Sequence, residues 1–398
     1  MRGLYNILNN TIINRIICEN LNINDILNLK LSSKDFNKLD YEIYDLKIDI
    51  LNDGYIFPTN IFTNLKFIKS ILLKSIVDLY EIDISKISNY LHELKNINYC
   101  KFISLMFKGN INEIDIMNIY SVKKIEFIKC YFFYHKFKII LNKNIKEIIL
   151  KNCGIEKIEI YSNEIFINRI FYKEEVHNNI KESVNIEFLN LTQNSIIEFP
   201  PSFISLKYLM ILDMSRNKIK TIPDHICELK NLKELDLSHN RISSISNKIG
   251  ELPNLTILKL HDNVIEHLPH EIVNLNNLLL LSLNCNMLKS NSLHLHFNKL
   301  TNLKYLFLQN NIIDYIPSVL YYLENLIHLN LEYNLIEYVS DEIINLKNIE
   351  ILNLSFNYLE SIPDFTQLLK LKHLYLYNYN YENIILDELI NDDVIVYK

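Results

Sequence analysis

Glycine occurs only five times in the 398 residues, and tryptophan does not occur. So few glycines leave no room for the phosphate-cradling motifs G-x-x-x-x-G-K-[ST] and G-x-G-x-x-G, and neither is present. The nucleophile elbow G-x-S-x-G is absent too. The six cysteines (Cys18, Cys100, Cys130, Cys153, Cys227 and Cys285) include no CxxC pair, which argues against a zinc or dithiol motif. Scattered thiols of this kind read as reduced residues of an intracellular protein, which places the chain in the cytoplasm. No apolar run reaches the roughly 18 residues of a membrane span. The start, "MRGLYNILNNTIINRIICENL", is broken by Asn and Arg and makes a poor signal peptide. The net charge is −6 and the basic residues are scattered, so no nucleic-acid stripe is expected. His92-Glu93 and His270-Glu271 each lack the second histidine of a zinc-protease helix. These absences predict a non-enzyme with no cofactor and no metal.

Asparagine, isoleucine and lysine are abundant instead, and the asparagines keep time. Asn194, Asn217, Asn240, Asn263, Asn286, Asn311, Asn334 and Asn357 are separated by 23, 23, 23, 23, 25, 23 and 23 residues. Around each runs the frame L-x-x-L-x-L-x-x-N-x-L, as in "LMILDMSRNKI", "LTILKLHDNVI" and "LIHLNLEYNLI". The x-L-x-L-x core predicts a short strand with alternate leucines pointing inward. The asparagine then turns the chain, and its amide can satisfy backbone groups that no strand pairs. An Ile-Pro step follows in several units, where proline sets φ near −65° and directs the return path. One such unit cannot bury its apolar face alone, so units must stack. "VKKIEFIKCYF" (122–132) and "IKEIILKNCGI" (145–155) carry the same frame, with Cys130 and Cys153 in the asparagine place.

This frame resembles the leucine-rich repeat family, in the 23-residue form seen in intracellular adaptors. The resemblance implies an α/β solenoid: a right-handed leucine-rich-repeat horseshoe of parallel strands. It also implies that Cys130 and Cys153 are buried ladder residues rather than nucleophiles. The expected organisation is degenerate repeats over 101–185, regular repeats over 186–380 and a C-terminal cap over 381–398. Residues 41–100 read either as a linker or as further degenerate repeats.

Residues 1–40 do not fit the frame. Leu8, Ile12, Ile13, Ile16, Ile17 and Leu21 have helical spacing, and Asn24-Asp25 marks a second helix start before Ile26. This small all-helical segment resembles the F-box, with Asp25, Ile26, Leu29, Leu31, Ser33, Lys34 and Phe36 near that family's places. Asn9 and Thr11 stand where the family has Pro and Glu. The resemblance implies an adaptor-binding face of Leu8, Ile12, Ile13, Ile16, Ile17, Leu21 and Ile26. The implied partners are a Skp-type adaptor and a cullin. A plain helical cap on the first repeat is the alternative reading.

The positions flanking the inward leucines are expected on the concave face, where solenoids bind partners. Its middle carries Asp213, Arg216, Glu234, Asp236, His239, Lys259, His261 and Asp262. Its C-terminal third carries Tyr305, Phe307, Tyr333, Phe356, Tyr375 and Tyr377. Aromatics there either anchor a partner or stack across strands for stability. His239 and His261 sit in adjacent repeats with Asp236 and Asp262 nearby; a metal site is one reading of them, and the reading preferred is solvated polar residues. The function expected is protein interaction, in one of two forms. One is a substrate receptor of a cullin–RING ubiquitin ligase. The other is a scaffold for a small GTPase or signalling protein. The Asn/Ile/Lys-rich style resembles repeat proteins of large DNA viruses, which would put the protein in a host cytoplasm.

Overall fold

The computed structural model describes residues 45–50, 70–75, 80–83, 99–103, 105–108, 114–115, 122–132, 136–141, 144–162, 185–293, 295–377 and 388–398. The F-box-like segment and its seven adaptor-face residues lie outside this set. The chain divides into two compact units, Met1–Ile186 and Glu187–Lys398.

In the first unit, Asp45–Ile50, Ser70–Ser75, Tyr99–Ile103, Lys124–Ile128 and Glu147–Lys151 pair in parallel, each with the next. Parallel strands therefore begin well before the clear repeats. Two further three-stranded parallel sheets accompany them. One joins Tyr80–Asp83, Leu105–Lys108 and Tyr131–Phe132; the other joins Ile114–Asp115, Lys136–Leu141 and Lys157–Ser162. Cys130 and Cys153 are buried. The Cys153 thiol lies 3.3 Å from the Lys151 carbonyl and 3.4 Å from that of Phe127, one repeat back. Burial pushes the Cys153 thiol far above its usual range, and that of Cys100 up to about 12. Neither is a ready thiolate.

The second unit repeats one coil. Ten three-residue strands, from Phe188–Asn190 to Ile395–Tyr397, pair in parallel in sequence order. The last of them falls within the expected C-terminal cap and adds a further strand beside His373–Tyr375. The central residue of each of the nine strands from Phe188–Asn190 to His373–Tyr375 is a fully buried leucine, as at Leu212, Leu235 and Leu258. Among the described residues most return legs are 3-10 turns such as Asp224–Glu228 and His270–Asn274. Pro200, Pro223, Pro269 and Pro317 start four of these turns with φ between −58° and −83°. Where serine replaces proline, its hydroxyl caps the turn: Ser246 Oγ accepts from Lys248 N at 3.0 Å and Ser340 Oγ from Glu342 N at 3.2 Å. The two-residue insertion between Asn286 and Asn311 is tied down by Ser290. Its hydroxyl accepts from Asp314 N (3.1 Å) and Tyr315 N (2.9 Å) and donates to Asp314 Oδ1 or Tyr315 O, each at 2.6 Å.

The asparagines bridge consecutive coils. Asn217 Nδ2 donates to Met214 O of its own coil and to Leu191 O of the coil before, both at 2.9 Å. Its Oδ1 accepts from Ile196 N at 3.0 Å, again one coil back. The same three contacts recur at Asn240, Asn263, Asn286, Asn311 and Asn334. Asn357 closes the series with the same pattern. Asn240 is partly exposed but keeps every bond.

A second asparagine series runs along the surface. Asn231, Asn254, Asn277, Asn302, Asn325 and Asn348 each donate to a carbonyl of the preceding coil at 2.7–2.9 Å. Asn263→Leu is expected to lower stability by about 1–3 kcal/mol, because buried backbone groups lose their partner. Asn277→Ala, on the solvated series, should cost no more than about 1 kcal/mol. Urea unfolding of the two variants checks the contrast. Gly250→Ala tests the stacking distance. A β-carbon there would sit 2.2 Å from the Glu271 carbonyl oxygen, so the coils must part, at a cost of about 1–3 kcal/mol.

Candidate functional site

The solvent face of the second unit is built from columns, because every strand is in register with the next. With the central leucine turned inward, its two neighbours turn outward. The third strand position reads Asp213, Asp236, Lys259, Ser282, Phe307, Asn330, Asn353, Tyr375 and Tyr397. It passes from charge to aromatic along the unit. A second column stands just before the ladder asparagines: Gln193, Arg216, His239, Asp262, Cys285, Asn310, Tyr333 and Phe356. All eight have φ between +53° and +57°. The bend that aims each asparagine inward thus needs a left-handed residue, and none of the eight is glycine.

Some of the expected binding residues serve the fold. Asp213 Oδ1 accepts from Ser215 N and Asp236 Oδ1 from Ser238 N, both at 3.0 Å. Asn330 and Asn353 accept in the same way from Glu332 N (2.9 Å) and Ser355 N (3.0 Å). This position therefore closes the turn, as an Asx motif does. The outer oxygen of Asp213 accepts from Asn190 Nδ2 at 3.1 Å. Lys259 Nζ lies 2.7 Å from Glu234 Oε1 and 3.4 Å from Asp236 Oδ2. Burial works against the Lys259 charge, yet these carboxylates hold its ammonium above the usual range. Burial is also the main reason that the Asp213 carboxyl sits above its usual range, with Asp236 adding to it and the bonds from Ser215 opposing.

Beside this cluster the left-handed column brings more groups together. Arg216 Nη2 is 3.4 Å from His239 Nε2, and His239 Nδ1 is 3.3 Å from Asp262 Oδ2. The His239 and His261 rings meet edge to face at 5.2 Å. Asp236, expected near the histidines, lies close enough to His261 to act on it electrostatically, but its hydrogen bonds and ion pair go to Ser238 and Lys259. All eight residues expected in the charged zone lie on this outer face.

The aromatic zone is also assembled. Tyr333 and Phe356 stack in parallel with centroids 4.3 Å apart, and Phe356 is 6.2 Å from Tyr377. Tyr375 stacks on Tyr397 at 4.2 Å, a partner the sequence reading did not name. Phe307 meets the His328 ring edge-on at 5.0 Å, and Tyr305 stands apart from these stacks. Cross-strand stacking is thus present, but the stacks stay open to solvent: Tyr333 keeps 47% and Tyr377 40% of its surface exposed. Ser282, Asn284, Cys285 and Tyr397 are neighbours that sequence reasoning missed. Writing the chain out at its 23-residue period would have placed the first three beside Lys259, His261 and Asp262; Tyr397 follows Tyr375 by 22 residues and falls out of that phase.

His328 offers a titration test. Burial holds its imidazole below the usual value near 6.5. As the pH falls below about 6.5, the unfolded chain takes up the proton first. Stability from the neutral ring is present above that pH and is lost as the pH drops through the lower folded value. His328→Gln should flatten this part of the stability–pH curve, measured by urea unfolding between neutral and mildly acidic pH.

Residues 184–242 match the family model described as leucine rich repeat, and residues 230–270 match that for leucine rich repeats in two copies. No functionally curated protein matches the sequence. Among solved structures, a leucine-rich-repeat protein of Leptospira interrogans is similar with TM-score 0.61 and 26% identity, over 83% of each chain. An internalin of Listeria monocytogenes is similar with TM-score 0.55 and 19% identity, over 77% of this chain and 81% of the internalin. TLR13, solved as a complex with ssRNA13, is similar with TM-score 0.52 and 20% identity, over 86% of this chain and 59% of TLR13. Residues 184–270 of this chain are therefore leucine-rich repeats, and the asparagine-anchored coil is the unit that they repeat.

Proposed function

We propose that this protein is a non-catalytic interaction module that docks a protein partner on the outward strand face of residues 187–398. The observation that carries this reading is the half-exposed stack of Tyr333, Phe356 and Tyr377 on a rigid sheet. Large rings held in place and left open to water are what interface anchors require. The charged cluster of Glu234, Asp236 and Lys259 lies on the same face and supplies orientation.

A finer form of the reading rests on the resemblance of residues 8–36 to the F-box. The protein then acts as substrate receptor of a Skp/cullin/F-box ubiquitin ligase in a host cytoplasm. Leu8, Ile12, Ile13, Ile16, Ile17, Leu21 and Ile26 would meet the adaptor, and ubiquitin transfer would be accelerated by proximity alone. The alternative is a scaffold for a small GTPase or signalling protein, with the N-terminal segment as a cap.

Co-purification of the full chain, read by mass spectrometry, separates these forms. Stoichiometric recovery of a Skp-type adaptor and a cullin, lost in Ile12→Asp/Ile16→Asp, supports the ligase form. Their absence while other partners persist supports the scaffold. In either form, Tyr333→Ala/Phe356→Ala should weaken the captured partner's binding by about 2 kcal/mol or more. Tyr322→Ala, exposed on a return leg, should leave it unchanged. Equal binding by all three proteins would remove the aromatic face from the account.

A further inference from the structure

We propose that His239, His261 and Asp262 form a Zn²⁺ site of three protein ligands on the outward face. This inference does not depend on the partner-docking reading. One ligand atom from each residue lies within 4.8 Å of the others, and all three side chains are partly buried. The backbone holds the pair of histidines together, since His239 N donates to His261 O at 2.9 Å. His239 Nδ1 and Asp262 Oδ2 are 3.3 Å apart. A tetrahedral ion with bonds of about 2.05 Å to N and O sets its ligand atoms about 3.3 Å apart. This pair thus already has the spacing of two zinc ligands.

His261 is prepared for this role by its neighbours. Its Nδ1 is 3.1 Å from Ser282 Oγ, and Ser282 Oγ is 2.7 Å from Asn284 Oδ1. With the serine proton given to Asn284, the serine oxygen accepts the Nδ1 proton of His261. That assigns the tautomer in which Nε2 carries a free lone pair. A metal-bound histidine is commonly held through its other nitrogen in this way. Two imidazoles and a carboxylate suit Zn²⁺. Three ligands on an open face leave the fourth position to water or to a partner's side chain.

Arg216 works against the site. Its guanidinium donates to His239 Nε2 at 3.4 Å, which places the proton of neutral His239 on Nδ1. Zinc at Nδ1 displaces that proton to Nε2 and breaks the arginine contact. Arg216 is exposed, so it can swing away, but it competes with the ion. The site therefore has an opponent as well as a supporter, and both can be removed singly.

The test uses the full chain, stripped by chelator dialysis and titrated with Co²⁺ as spectroscopic probe and with Zn²⁺ by calorimetry. The expected result is one equivalent of Co²⁺ with the visible absorption of tetrahedral N/O ligation. His239→Asn, which keeps a residue suited to the left-handed backbone, and Asp262→Asn should each weaken binding about tenfold or more. Ser282→Ala should weaken it about tenfold through loss of the His261 tautomer. Arg216→Ala should tighten it several-fold. His328→Gln, on a distant strand, should change nothing, and circular dichroism checks that every variant is folded. A wild-type chain without the tetrahedral spectrum, or folded His239 and Asp262 variants with undiminished affinity, overturns the proposal. An Arg216→Ala variant that binds more weakly would overturn the assignment of Nδ1 as ligand.

Discussion

The structure depends on one primary amide used in two directions. The ladder asparagine donates to carbonyls of its own coil and of the coil before, and accepts an amide from the coil before. A bent chain without strand partners leaves these backbone groups orphaned, and each costs about 1–3 kcal/mol if buried unpaired. No other side chain of this size offers two donors and an acceptor on one plane. Cysteine meets part of the need: Cys153 reaches the equivalent carbonyl of the preceding coil, at Phe127, and within its own coil that of Lys151. A thiol brings only a weak donor and a weak acceptor. The Cys-bearing coils of the first unit are joined as well through strands such as Lys136–Leu141 and Lys157–Ser162, which pair on their own.

The same bend creates one column of the outer face. To aim the asparagine inward, the residue before it must adopt positive φ. The backbone there is constrained while the side chain projects into water, so the fold sets no side-chain type. Eight successive coils carry Gln, Arg, His, Asp, Cys, Asn, Tyr and Phe in this place. For Tyr333 and Phe356 the left-handed backbone costs about 1–2 kcal/mol each. Their parallel stack returns about 0.5–1.5 kcal/mol. Stacking alone therefore does not clearly justify two bulky rings where asparagine would be easier to hold. The residual cost is consistent with a use outside the fold.

Much of the second unit was legible because its signals are periodic and chemically sharp. Inward leucines at fixed offsets from an asparagine admit few alternative structures. The surface series at Asn231, Asn254 and their equivalents was not legible in the same way. A polar residue before a leucine looks like any loop, and only the coordinates show its bond to the preceding coil. The 3-10 turns were hidden for a related reason: five-residue legs are too short for a helical period to show. The strands at Asp45–Ile50 and Ser70–Ser75 escaped because their sequences, DLKIDI and SILLKS, lack the asparagine-anchored frame that would set their phase. On the outer face, residue types were readable but partners were not. Asp236 and Asp262 look alike in sequence. The first closes a turn and binds Lys259, and only the second meets His239.

The two zones of this face differ in what a partner must overcome. Lys259 is already neutralised by Glu234 and Asp236. A partner that covers this cluster removes water from three charges whose mutual contacts are made, and must supply bonds of equal quality to break even. The aromatic zone imposes no such demand. Covering the open edges of Tyr333, Phe356 and Tyr377 displaces water from apolar surface at about 25 cal/mol per Å². Their rings are pre-stacked, so little rotamer freedom is lost on binding. Affinity on this surface should then come from the C-terminal rings, while the charged middle selects among partners by rejecting those whose charges do not match. That division follows from which side chains the fold has already satisfied.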